Sequence, residues 1–476
     1  MYAPRGLSRS ELGKFDLIVA DDRLHLFAVT LPAHDVVVHA VSDDGLSWRE
    51  LPDALHTGDP GAPDDDEIYS LNVAAGPDGY VMLYTGLARA EDGLVQRTCR
   101  ATSPDLTRWT KDPANPVAEA DGRWYDVGPK PTGRVSWRDP KPVRVGGEWL
   151  APLCAHENDG PLLRRGCVGL LASPDLVRWE TRPPLFAPRA AWDMETPQLF
   201  QVDGRWYLTA AISEDRGQRY WTAPGPTGPF ARPADGGLLG TPEHYAARVV
   251  EWRGRTLHLA QLSLDYEEPG VGRRSGKYAS PPLELIARAD GSLACRGFAG
   301  WEAYTGERAP LTPAAATLFH GVASDGWWLE CRTGRDALAS AAAIGDGIVS
   351  GTLRLDAPLG GMALRLDERG GGLFARLAAG GREVVLERWG AGPARAADRP
   401  FKYAEVARGV LARPLGAAAE VRLLAAGHYL ELSVDGEVAL VAATPETGLG
   451  RAGLWVDSGL AAADLSFAPL VGGFGL

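Results

Sequence analysis

The sequence predicts an all-β chain: a five-bladed β-propeller followed by a C-terminal β-sandwich. Three observations carry this reading. A hairpin pattern recurs five times in the first part of the chain, a second turn motif recurs in step with it, and the composition changes beyond Gly300. The 58 Gly and 36 Pro fall between short apolar runs, the texture of many strands and turns rather than of helices. A length of 476 residues is more than one hydrophobic core organises, which argues for two domains.

Each hairpin has a polar turn followed by an apolar and aromatic strand. The copies are Asp21-Asp22-Arg23-Leu24-His25-Leu26-Phe27, Asp78-Gly79-Tyr80-Val81-Met82-Leu83-Tyr84, Gly146-Gly147-Glu148-Trp149-Leu150, Asp203-Gly204-Arg205-Trp206-Tyr207-Leu208 and Arg253-Gly254-Arg255-Thr256-Leu257-His258-Leu259. They lie roughly 50 to 70 residues apart, near the spacing of propeller blades. Most are preceded by an apolar run, as a β-hairpin requires. Five hairpins imply five blades of about four strands each.

The second motif is Ser-x-Asp-x-x-x-Trp: Ser42 to Trp48, Ser103 to Trp109 and Ser173 to Trp179. It reads as the turn into an outer blade strand, with the Trp packed between blades. Beyond the propeller the chain is rich in Ala, Gly and Leu, with alternating segments such as Ala363-Leu364-Arg365-Leu366 and Tyr429-Leu430-Glu431-Leu432-Ser433-Val434. Val434-Asp435-Gly436-Glu437-Val438 is a hairpin signal. The expected domains are therefore a propeller over 1–300, a linker over 301–310 and a sandwich over 311–476, with a loop around Gly390 to Pro400.

Composition narrows the functional classes. A net charge of −12 argues against nucleic acid, which needs a basic footprint, and suits a neutral small substrate. The 15 Trp suit stacking on sugar rings and suit core filling equally well. Five scattered cysteines, Cys99, Cys154, Cys167, Cys295 and Cys331, have no metal-ligand spacing and read as core residues. No metal or organic cofactor motif is present in the sequence, so none is expected. The first residues have no apolar signal core and no run is long enough to span a bilayer. A cytoplasmic protein without a membrane partner is expected, although a chain trimmed of its signal peptide would read the same. Oligomeric state is not legible.

The innermost strand of a blade lines the propeller axis and should be the one preceding each hairpin turn. Those strands open with Phe15-Asp16-Leu17, Ile68-Tyr69-Ser70-Leu71-Asn72, Trp137-Arg138-Asp139-Pro140, Met194-Glu195-Thr196-Pro197-Gln198 and Glu243-His244-Tyr245-Ala246-Ala247. Three openings set a carboxylate against apolar strand residues: Asp16, Asp139 and Glu195. Converging carboxylates raise one another's pKa, a cost that a site can use. Cleavage of a glycosidic bond needs such a set, one acid to protonate the leaving oxygen and an opposing carboxylate to attack the sugar or activate water. Arg138 is placed to pair with a carboxylate or hold a hydroxyl. Tyr69, Ser70, Trp137, Trp192, Gln198, His244 and Tyr245 are candidates for stacking on or bonding the sugar, and His34-Asp35 lies in a loop that could reach the pocket. Each has a plain alternative in blade packing.

With these motifs in order, the chain resembles glycoside hydrolase family 32, the β-fructosidases and invertases, with family 43 arabinosidases as more distant relatives. Arg138-Asp139-Pro140 matches the family's Arg-Asp-Pro. Glu195-Thr196-Pro197-Gln198-Leu199-Phe200 resembles its Glu-Cys-Pro-acid-Leu-Phe, and Glu243-His244-Tyr245-Ala246 its Asp-Phe-Tyr-Ala. His39-Ala40-Val41-Ser42 and Pro282-Leu283-Glu284-Leu285 follow further segments. The resemblance implies a propeller with a C-terminal sandwich, Asp139 as transition-state stabiliser, Glu195 as acid/base and Asp16 where the family keeps its nucleophile. It implies a retaining reaction through a furanosyl-enzyme.

Departures are equally visible. The family's Trp-Met-Asn-Asp-Pro-Asn-Gly is absent, and Gly13-Lys14-Phe15-Asp16-Leu17-Ile18 stands there. Thr196 replaces a Cys, Gln198 an acid, and the Phe-Ser-Gly-Ser segment is only Tyr69-Ser70-Leu71-Asn72. These changes fall at sugar-contacting positions. The expected function is a hydrolase of terminal furanosides, β-D-fructofuranosides first. The alternatives are an arabinofuranosidase or other furanosidase, an inverting enzyme with Asp16 as base, a fructosyltransferase, and a sugar-binding protein without catalysis.

Overall fold

A computed structural model describes residues 1–4, 11–128, 133–268, 272–320, 326–390 and 403–472. The architecture is all-β, and the helices among the described residues are three 3₁₀ turns, Arg89–Glu91, Leu162–Arg164 and Ala299–Tyr304. Five antiparallel sheets form the blades of a propeller, each beginning with its inner strand. The inner strands are Glu11–Ala20, Glu67–Gly76, Trp137–Arg138, Met194–Val202 and Tyr245–Trp252. They follow one another around the axis. The first packs against those of blades two and five, that of blade four packs against that of blade five and against Glu148–His156 of blade three, and Trp137–Arg138 packs against Gly79–Leu87 and Arg97–Ser103 of blade two, so the ring closes.

The predicted hairpin turns form as expected from their chemistry. Val202 pairs with Arg205 and Trp252 with Arg255, leaving two-residue turns. Asp203-Gly204 and Arg253-Gly254 both hold positive φ at the two turn positions, the geometry that matches strand twist. The Ser-x-Asp-x-x-x-Trp motifs are structural turns. Asp105 Oδ1 accepts the N–H groups of Thr107 and Arg108 at 3.0 and 2.9 Å, and Asp175 Oδ1 those of Val177 and Arg178 at 3.0 and 2.9 Å. Trp109 then packs edge-on against Phe27 of the first blade, 5.6 Å between centroids.

The C-terminal domain is one large antiparallel sheet folded nearly closed on itself around a Leu, Val and Ala core. Val434 pairs with Glu437, the expected hairpin. The loop anticipated around Gly390 to Pro400 lies almost wholly outside the described residues. The stretch read as a linker is packed structure. Trp301 is buried and stacks on Tyr429 of the sandwich at 6.5 Å and 12°, and Ala309–Pro310 pairs with Ser466 and Phe467. Arg288 of blade five grips Glu437 of the sandwich through both carboxylate oxygens, at 3.1 and 2.6 Å. One apolar cluster spans both domains, joining Leu257, Leu283 and Leu293 to Leu424, Tyr429 and Val441. The sandwich therefore completes the core of blade five. No helix among the described residues is long and apolar enough to cross a membrane.

Candidate active site

The inner strands do not run straight where they open onto the axis. Register shifts fall between Leu12 and Phe15, Ile68 and Ser70, Glu195 and Gln198, and Tyr245 and Arg248. Such bulges re-aim side chains, and they cluster next to active sites. Asp139, Thr196 and Ala246 hold left-handed φ of 64°, 47° and 50°. For L-residues this costs roughly 1–2 kcal/mol each, and it persists only where the surroundings enforce it. At the first bulge a Cβ on Gly13 would stand 2.5 Å from Val29 Cγ2 and 2.9 Å from its carbonyl oxygen, so only glycine lets the strand approach. That bulge brings Lys14 to Glu195.

Glu195 is the centre of the site. Its Oε1 accepts from the Arg138 guanidinium at 3.0 Å and from Ser213 at 3.3 Å. Its Oε2 accepts short hydrogen bonds from the Lys14 ammonium and the Tyr245 hydroxyl. Burial, the largest influence, pushes its pKa up, but the charges of Lys14 and Arg138 outweigh burial and hold it well below the usual carboxylate range. Glu195 is therefore ionised in the free protein. The same contacts raise Lys14 against its own burial cost and keep it charged, and burial with the neighbouring Glu195 raises the Tyr245 phenol.

Asp139 is fully buried beside this group. Thr196 donates its N–H to Asp139 Oδ2 at 2.8 Å, Lys14 Nζ stands 4.0 Å from the same oxygen, and Arg138 Nε 3.9 Å from it. The other oxygen, Oδ1, is buried with no hydrogen-bond partner. Arg138 also ties in Asp193 at 2.8 Å, and Asp193 accepts from Arg134 at 3.2 Å and meets His156 Nε2 at 2.9 Å. Burial, the largest influence, pushes the Asp193 pKa up, but Arg138 and His156 outweigh it and depress the carboxyl.

Asp16 lies on the same axis in different company. Lys141 Nζ binds its two oxygens at 2.7 and 2.6 Å, Val73 donates its N–H at 2.7 Å, and Arg248 Nε stands 3.4 Å away. Arg248 continues to the Phe15 carbonyl at 3.2 Å and the Thr196 carbonyl at 2.8 Å, which links Asp16 to the Glu195 strand. The sequence expectation gave Asp16 the attacking position. The geometry instead engages both its oxygens in a buried brace between blades, and the side chain that blade one presents to Glu195 is that of Lys14.

The other sequence candidates separate into three groups. Arg138 and Tyr245 join the carboxylates directly. Tyr69 and His34 stack on each other at 5.0 Å and 14°, both half-buried, and Trp192 is half-buried against His156 at 4.7 Å, so these belong to the surround. The remaining candidates are not brought to the carboxylates as sugar contacts. Ser70 supports Asp139 by accepting its N–H at 3.1 Å. Gln198 has both amide atoms on the Val249 backbone, at 2.6 and 3.0 Å. Trp137 is buried in the blade core against Tyr125, 4.9 Å between centroids. His244 is buried against His258, and Asp35 is exposed, within 3.4 Å of the Thr30 hydroxyl. Sequence reasoning missed Lys14, Lys141, Asp193 and Arg248. Lys14 had a signal, because it sits two residues before Asp16, where regular alternation would give both side chains the same face.

Among the described residues no three His, Cys, Asp or Glu side chains are grouped to hold a metal ion. What the site can do is move a proton at Glu195 and accept a hydroxyl at Asp139 Oδ1.

Residues 18–226 match the family model described as glycosyl hydrolases family 32 N-terminal domain. An insoluble β-fructofuranosidase isoenzyme of Arabidopsis thaliana is 32% identical over 175 residues, 34% of this chain and 27% of the relative. A sucrose:sucrose 1-fructosyltransferase of Festuca arundinacea is 30% identical over 158 residues, 30% of this chain and 21% of the relative. The aligned stretches thus span about a quarter of those relatives. In three dimensions an exo-inulinase from Aspergillus awamori superposes with a TM-score of 0.70 at 16% identity, covering 99% of this chain and 98% of that one. Fructan 1-exohydrolase IIa from Cichorium intybus gives 0.68 at 16% identity, covering 98% and 96%. These likenesses extend the shared fold over propeller and sandwich together.

Proposed function

We propose, from the premise that the chain belongs to glycoside hydrolase family 32, that it cleaves furanosides at its propeller axis, with β-D-fructofuranosides the leading substrate class. The observation that supports this most is Glu195, barely exposed and held between Lys14, Arg138 and Tyr245 beside a second buried carboxylate, Asp139. Relatives named for sucrose and fructan chemistry support the choice of sugar.

Glu195 is the proton-transfer residue in this reading. It is ionised at rest, so donation to a leaving oxygen needs its pKa to rise. A glycone entering between Lys14 and Glu195 separates the pair and excludes water, and both changes raise that pKa. Asp139 Oδ1, already desolvated, accepts a sugar hydroxyl without further cost, while the Thr196 N–H fixes the other oxygen. The attacking group is read from the product. Both outcomes require Asp16 to leave Lys141 and Arg248: retained configuration has it attack the sugar, and inverted configuration has it activate water.

Release of monosaccharide from sucrose, an inulin-type fructan and an aryl α-L-arabinofuranoside tests the proposal. Wild type should turn over at least one, and Glu195→Gln should lose about 10²–10⁴-fold. No release from any furanoside by the wild type would refute it. A second reading, a sugar-binding protein without turnover, is favoured by the Lys14 ammonium lying on Glu195 and by the engaged oxygens of Asp16. Fructose binding without release from any furanoside would establish that reading. Residence in the cytoplasm remains a proposal, tested by fractionating cells that express the chain with its own N-terminus.

A further inference from the structure

We infer that the sugar taken at this site carries a negative charge on its glycone, a carboxylate or a phosphate, received by Lys14, Arg216 and Lys277. This rests on the reading of the axis as a glycosidase site and names its substrate class.

The inner axis is balanced. The buried charges Lys14, Arg138, Lys141 and Arg248 face Asp16, Asp139, Asp193 and Glu195, four of each sign, with the half-buried Arg134 reaching Asp193 from outside. A neutral glycone would need nothing more, yet the adjoining edge adds cations. The Arg216 guanidinium lies 3.8 Å from the centroid of the Tyr245 ring, and Lys14 Nζ stands 5.2 Å from that centroid. Arg216 is exposed and held at φ 52°. Its face is taken by the ring, so its N–H edge is left to meet a planar or tetrahedral anion.

Lys277, half-buried, joins the same field. Burial and then the charge of Arg216 lower its pKa, Lys14 adds to the repulsion, and Glu11 and Glu195 offset only part of it. A bound anion relieves that repulsion, whereas a neutral sugar leaves it in place.

The acidic neighbours of Arg216 are engaged elsewhere. Asp215 pairs with Arg219 and caps Gly217 N at 2.9 Å. Glu214 accepts the Trp192 N–H at 2.6 Å. In a chain of net charge −12, an excess of cations beside the axial carboxylates, Arg216 and Lys277 against Glu11, runs against the average. It has a chemical use. An anionic glycone entering a pocket that holds Glu195 and Asp139 would be repelled, and cations at the point of entry offset that repulsion.

Calorimetric titration with fructose, fructose 6-phosphate and galacturonate, in low and in 0.5 M salt, tests the inference, with furanoside turnover measured alongside. Wild type should bind at least one of the two anions about tenfold or more tighter than fructose, and 0.5 M salt should shrink the difference. Arg216→Ala and Lys277→Ala should each weaken the anion by about fivefold and leave fructose unchanged. Preference for the phosphate or for the carboxylate then identifies the source of the charge. Fructose bound as tightly as both anions, with no response to salt or to either substitution, would overturn the inference and leave the glycosidase reading standing. Absence of binding by all three probes, with no furanoside turned over, would overturn both.

Discussion

The Asp16 brace makes a prediction that separates structure from chemistry. Asp16→Ala removes a fully buried carboxylate and leaves Lys141 and Arg248 facing each other across the axis with no anion between them. Breaking a buried ion pair from one side costs about 3–5 kcal/mol, because the partner charge stays desolvated. The Val73 N–H loses its acceptor as well. A change of that size lowers the melting temperature by roughly 6–15 °C in a domain of this scale. Thermal unfolding followed by circular dichroism measures it. Asp16→Asn keeps the shape and should be milder, and adding Lys141→Met to Asp16→Asn should recover part of the loss because one stranded cation is gone. An Asp16→Ala protein that melts within about 2 °C of wild type, well below the range set by a broken buried pair, yet turns over nothing would refute the brace and return Asp16 to the role of nucleophile.

Other outcomes follow from the same contacts. Lys14→Met removes the main charge that depresses Glu195, so the limb of the pH–rate profile governed by Glu195 should move to higher pH; an unmoved profile would contradict the pairing. Burial lowers His258 from 6.5 to about 4 and His39 to about 3, so both fold as neutral rings. Their folded pKa lies below the unfolded one, so this stability is fully present above pH 6.5 and is lost as pH falls from there toward 4 and 3. The melting temperature should therefore decline below pH 6.5, and His258→Leu should flatten part of that slope. Glu195 and Asp193 are depressed carboxylates, so their contribution holds above about pH 4.3 and is lost only in stronger acid. Trp301→Ala empties the contact with Tyr429 and should cost about 3–5 kcal/mol. Differential scanning calorimetry should then show a lower or a split transition, and an unchanged single peak would mean that the sandwich does not support the propeller.

Much of the fold was legible because its signals are local. Two-residue turns such as Asp203-Gly204 are written in the residues that tolerate positive φ, and the Ser-x-Asp-x-x-x-Trp turns in a side chain that caps its own backbone. The axial position of Asp16, Asp139 and Glu195 followed from counting which strand comes first in each blade. What each carboxylate faces was not legible, since Lys141 is 125 residues from Asp16 and Lys14 is 181 from Glu195. Bulges defeated the simple alternation. With Lys14 two positions before Asp16, an even strand would give both side chains one outlook, yet the bulge at Gly13 sends Lys14 to Glu195 while Asp16 remains with Lys141. Gln198 misled for a related reason, because a polar residue near a strand opening serves equally to tie neighbouring blades through Val249.

The most direct test of a glycoside-cleaving axis is the crystal structure of the Glu195→Gln variant soaked with a furanoside that the wild type turns over. An intact glycoside is expected between Lys14, Arg138 and Tyr245, with a sugar hydroxyl within hydrogen-bond reach of Asp139 Oδ1. A glycoside bound away from the axis, with Asp139 Oδ1 still unpartnered, would contradict it.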